Sequence, residues 1–109
     1  MNIRVLFQQP MTLQELLDRI HRGENLHTEF KEAEVHPDDI AAELVAFANT
    51  DGGQLIFGVT DDGRIAGVAD SDRLAQRVDQ IAYNNCEPPI TVVQETVRDD
   101  TGRTVLIVN

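Results

Sequence analysis

Cysteine is almost missing from this chain. Cys86 is the single one in 109 residues, which excludes an intramolecular disulfide and suits a reducing compartment. No apolar run approaches the ~20 residues that cross a bilayer, and Met1–Pro10 lacks the basic-then-apolar order of a signal peptide. A cytoplasmic protein with no membrane partner is expected. Basic residues are also scarce: nine Lys and Arg stand against 19 Asp and Glu, a formal charge of −10. Such a chain repels polyphosphate unless a local basic face or bound cations reverse the field, and a soluble acidic surface is the simplest use of that charge. No G-x-x-x-x-G-K-S/T sequence is present. His21, His27 and His36 lack the i,i+4 or Cys-paired spacing of a zinc site, and Cys86 beside Glu87 reads as a structural thiol. There is no internal repeat, low-complexity tract or linker, so residues 1–109 form one domain, large enough to bury a modest core.

What is present is local punctuation. Thr12-Leu13-Gln14-Glu15 is a capping box that opens a helix over Thr12–Arg22, stopped at Gly23, with Leu13, Leu16, Leu17 and Ile20 on its apolar face. Leu26–Lys31 reads as a strand with Thr28 and Phe30 on one side and Glu29 and Lys31 on the other. Pro37 starts a second amphipathic helix that reaches Asn49. Asn49–Gly53 turns the chain into a strand over Leu55–Val59. Asp62-Gly63 is the dipeptide of a two-residue type I′ hairpin, with Arg64–Val68 returning alongside. Asp70, Ser71 and Asp72 cap a third helix striped by Leu74, Val78, Ile81 and Ala82 and ended before Glu87-Pro88-Pro89. Ile90–Val97 and Arg103–Val108 are strands joined by a turn at residues 99–102, and Met1–Phe7 offers an edge strand. This order is that of an α+β fold, a small mixed sheet packed by about three helices. Leu13, Leu16, Leu17, Ile20, Phe30, Leu44, Val45, Leu55, Phe57, Val59, Leu74, Val78 and Ile81 are expected to share one core.

Glu29-Phe30-Lys31, followed by Ala46-Phe47-Ala48-Asn49-Thr50-Asp51-Gly52-Gly53-Gln54-Leu55-Ile56-Phe57-Gly58-Val59 and a final Gly67, resembles the AlbA_2 domain of the Schlafen and bacterial transcription-regulator families. The likeness runs from about Gly23 to Val68. In Schlafen relatives that cut RNA, two glutamates five residues apart join an aspartate just after the G-V of the glycine-rich strand, and Glu24, Glu29 and Asp61 fall at those positions. The resemblance thus implies a catalytic and metal-binding trio, with Mg²⁺ or Mn²⁺ activating water and offsetting phosphodiester charge. Read without it, Glu24 follows Gly23 in a loop, Glu29 pairs with Lys31, and Asp61 suits a turn. The nucleolytic relatives pair two such domains around a positive cleft, whereas this chain holds one copy.

Lys31, Arg64, Arg73 and Arg77 are the candidates for holding nucleic acid. Arg73 and Arg77 lie one helical turn apart, with Asp70, Asp72 and Asp79 placed to screen them. Families with this domain have carried ATP-binding labels, but Asn49–Gly53 follows a helix instead of preceding one, so it lacks the dipole of a phosphate cradle. Glu29-Phe30-Lys31 is also similar to the E-x-K of restriction-type nucleases, without a partner aspartate, since Asp18 falls in a helix. The leading expectation is a nucleic-acid-binding or assembly module of a bacterial transcriptional regulator. It would need no cofactor and would meet DNA or RNA in a longer protein or as a homodimer formed through unpaired sheet edges, the C-terminal strand among them. The alternatives are an endoribonuclease acting on structured RNA with Mg²⁺ or Mn²⁺, and a protein-interaction domain whose acidic face meets a basic partner.

Overall fold

The computed structural model describes residues 10–32 and 35–109, and the strand expected over Met1–Phe7 lies outside them. Helix α1 spans Leu13–Arg22. Thr12 accepts the Glu15 N–H at 3.1 Å to start it, and Gly23, at φ 81°, stops it. Helix α2 spans Pro37–Ala48 with His36 as its cap, and α3 spans Ser71–Asn84, where Asp70 accepts the Arg73 N–H at 3.0 Å. The strands are β1 Thr28–Lys31, β2 Gln54–Phe57, β3 Gln94–Arg98 and β4 Thr104–Val108.

These four strands form one sheet in the order β1-β2-β4-β3. β1 runs parallel to β2, with α2 as the crossover such a pair requires, and the other pairings are antiparallel. The mixed α+β sheet therefore stands as the sequence implies. β4 is an inner strand, bonded on both sides, so the C-terminal strand is no docking edge; among the described residues the outer strands are β1 and β3.

The sheet separates two cores where one was expected. Leu16 and Ile20 of α1 pack with Phe30, Ile56, Val59, Val97, Val105 and Ile107 on one face. Ile40, Ala41 and Leu44 of α2 and Val78, Ile81 and Ala82 of α3 pack with Leu55, Phe57, Leu106 and Val108 on the other. Alternation along β2 and β4 sends successive apolar residues to opposite layers, which is why both read as unbroken hydrophobic runs. Leu17 belongs to neither core. It is 42% exposed, because one residue of helix rotates it about 100° away from Leu16.

Several sequence expectations give way to local geometry, and β3 starts at Gln94 rather than at Ile90. β1 begins at Thr28, and Leu26 sits exposed in the preceding turn. The segment over Arg64–Val68 makes one isolated bridge, Val59 to Ile65, instead of a strand. The type I′ turn is replaced by a longer one: among the described residues only glycines have positive φ, so Asp62 does not take the position that type requires. Gly63 N–H bonds to the Thr60 carbonyl at 3.0 Å and Thr60 N–H to the Arg64 carbonyl at 2.9 Å, leaving Gly63 as the one left-handed residue.

Candidate nucleic-acid interface and the acidic pair

The loop after α1 carries Glu24 back to the outer edge of β1, where its Oε2 accepts the Phe30 N–H at 3.3 Å. That contact places Glu24 beside Glu29. Partial burial, the hydrogen bond to the Glu24 carboxyl and the charges of Glu24 and Glu43 push Glu29 up to about 7, with Lys31 opposing them. Lys31 Nζ lies 3.8 Å from Glu29 and 3.9 Å from Glu43. Asp61 sits on the exposed tip of the 60–64 turn and is not among the charges acting on Glu29. Among the described residues no group of three or more His, Cys, Asp or Glu side chains is gathered closely enough to hold a metal ion. Of the expected trio, the structure brings Glu24 and Glu29 together and does not gather Asp61 with them.

The four basic candidates part company. Lys31 is occupied by Glu29 and Glu43, and Arg64 Nε donates to Asp62 Oδ2 at 3.1 Å. Arg73 and Arg77 form no salt bridge among the described residues. Of the three aspartates expected to screen them, Asp70 caps α3 and Asp79 accepts from Gln94 Nε2 at 2.9 Å, while Asp72 stays exposed beside Arg73. Arg73, Gln76, Arg77 and Gln80, all exposed, line a shallow groove of about 340 Å³ on the side of α3 away from Val78 and Ile81. The spacing i, i+3, i+4, i+7 puts these four on one helix face, with the exposed Asp72 one turn before Gln76 at its edge.

Sequence reading missed a second polar concavity, over the start of β1 and β2, to which Arg19, Arg22 and His27 contribute. Arg19 and Arg22, three apart in the last turns of a helix, were its only local signal. The rest of that wall comes from residues distant in the chain.

The family described as Schlafen, AlbA_2 matches residues 24–109. The N-terminal domain of a RecG-related protein from Nitrosomonas europaea, solved by NMR, superposes with a TM-score of 0.71 at 22% identity, covering 91% of this chain and 72% of that one. The crystal structure of the DIP2311 protein from Corynebacterium diphtheriae gives a TM-score of 0.51 at 24% identity, over 88% of this chain and 24% of the other. Both likenesses establish a shared fold. No curated protein is significantly similar in sequence.

Proposed function

The chain belongs to the Schlafen AlbA_2 family, and from that premise we propose that it is a nucleic-acid-binding module of a bacterial regulatory protein, engaging its ligand through the Arg73–Gln80 face of α3. The observation that carries this reading is the Arg/Gln stripe, whose groove no acid lines, on an otherwise acidic chain. Guanidinium groups bind phosphate oxygens by two parallel hydrogen bonds and keep their charge at any physiological pH. Glutamine amides between them can donate to and accept from base edges or sugar hydroxyls. Against this stands a formal charge of −10, which slows approach and confines binding to the patch. Binding by this domain alone is therefore weak and strongly salt-dependent.

The test is titration of duplex DNA and of structured RNA at several salt concentrations. Replacing Arg73 and Arg77 by Gln removes two phosphate partners, and the slope of log K against log salt should fall by about 2. An unchanged affinity and slope would move the interface elsewhere. RNA cleavage that requires Mn²⁺ and disappears in Glu29→Gln would replace this reading with the nuclease one, and absence of both binding and cleavage would favour a protein-interaction role.

A further inference from the structure

Two cavities share a wall at the end of the sheet where β1 and β2 begin. The first is a polar basin of about 630 Å³ to which Arg19, Arg22, His27 and Gln54 contribute. The second is an apolar slot of about 180 Å³ formed by Leu44, Phe47, Ile90 and Val92. Gly52, Gly53 and Asn109 border both.

The basin is cationic although the chain is not. Two guanidiniums and an imidazole face a single carboxylate there, Asp51. Arg19 donates to Gln54 Oε1, and Gln54 Nε2 donates in turn to Asn109 Oδ1 at 2.6 Å. The guanidinium is thus oriented by neutral amides, and among the described residues no acid neutralises it. His27 Nδ1 lies 2.9 Å from the Gly52 carbonyl; donation there anchors the ring, and Nε2, an acceptor in the neutral ring, donates to a phosphate oxygen only when the ring is protonated. The wall between basin and slot is bare backbone. A Cβ on Gly53 would fall 2.5 Å from the Phe47 ring, and Gly52, at φ +94°, has nothing within 4 Å of where its side chain would begin. The Phe47 ring therefore lies against Gly53, and the open path from the arginines toward the slot runs over Gly52.

A cationic basin joined to an apolar slot with an aromatic side chain suits a molecule with an anionic head and a flat, weakly polar body. We propose that these cavities bind a nucleoside 5′-phosphate, with the phosphate between Arg19, Arg22 and His27 and the base in the slot beside Phe47. Arginine forks match phosphate oxygens, and a base packs favourably against an aromatic ring whatever its identity. The same chemistry is offered by a free mononucleotide and by the 5′ end of a strand. This site is distinct from the α3 face and does not rest on it.

Amide chemical shifts of Gly52, Gly53 and Asn109 in the ¹⁵N-labelled protein provide the readout. A nucleoside 5′-monophosphate should move all three and bind at least about tenfold more tightly than either the parent nucleoside or ribose 5-phosphate. Joint replacement of Arg19 and Arg22 by Gln should bring the monophosphate down to the nucleoside's affinity and leave the nucleoside unchanged. Short oligonucleotides with a 5′-phosphate or a 5′-hydroxyl identify the source. Preference for the phosphorylated end assigns the site to strand ends, and binding of the free nucleotide alone assigns it to mononucleotides. The proposal is overturned if millimolar monophosphate leaves these amides unmoved, if ribose 5-phosphate binds as well as the complete nucleotide, or if a peptide with a free apolar C-terminus binds more tightly than any of them.

Discussion

Glu29 shows how a single side chain records its surroundings. It is 31% exposed, with Glu24 and Glu43 on its flanks, and partial burial is the largest influence raising it to about 7 from 4.5. Because the folded protein holds this proton more tightly than the unfolded chain, the stabilisation is fully present below pH 4.5 and is lost as pH rises through about 7. Glu29→Gln, which keeps the shape and removes the titration, should flatten that decline. Thermal melts should show the variant a few degrees more stable than the parent above about pH 7, with the gap closing near pH 4.5. A gap of equal size at both pH values would mean that the effect comes from packing. The neighbouring Lys31 shows why residue type alone does not rank the basic candidates: its ammonium is already shared between two carboxylates, whereas Arg73 and Arg77 form no salt bridge among the described residues.

Helix α1 offers a comparison between adjacent leucines. Leu16 is fully buried and Leu17 is 42% exposed. Leu16→Ala should cost ~2–5 kcal/mol in denaturant unfolding and Leu17→Ala within about 0.5 kcal/mol. Leu44→Ala, in the core on the other face of the sheet, should cost ~2–5 kcal/mol too, and the Leu16/Leu44 double variant should be additive to within about 0.5 kcal/mol because the sheet lies between the two sites. Strong non-additivity would indicate a single connected core. The segment after β2 depends on a close approach of backbones. Gly58, at φ +99°, accepts the N–H groups of Ala66 and Gly67 at 2.8 and 2.9 Å, and a Cβ there would meet the Gly67 carbonyl carbon at 3.1 Å. Gly58→Ala should destabilise by about 1–3 kcal/mol from backbone strain alone. Gly102→Ala, at φ +86° with nothing within 4 Å, isolates the strain without the contact and should cost less.

At the scale of the molecule, charge is the dominant quantity. A formal charge of −10 on 109 residues makes the folded state self-repelling. Raising ionic strength from about 0.01 M to about 0.15 M shortens the screening length from about 30 Å to about 8 Å, so the melting temperature near neutral pH should rise. A fall would mean that local ion pairs outweigh the net repulsion. The same salt weakens attraction between phosphate and the α3 face, so stability and nucleic-acid binding should respond to salt with opposite signs.

The sequence by itself determined whatever depends on neighbours a few residues apart. Thr12 and Asp70 announced two helix starts, Gly23 a helix end, and the Glu29-Phe30-Lys31 and Asn49–Val59 patterns the strands and the family. Each is a local hydrogen bond or dihedral preference, complete within one turn or one strand. Tertiary structure alone decided the rest. β4 could have been an edge or a centre, and the apolar run over residues 105–108 reads the same until a helix layer covers each face. The two-residue turn expected at Asp62-Gly63 became a longer one because the bridge from Val59 to Ile65 set its span. The basin brings Arg19 of the first helix to Asn109 at the end of the central strand through Gln54, a relation no spacing along the chain could express, because sheet order and not sequence separation sets which side chains meet.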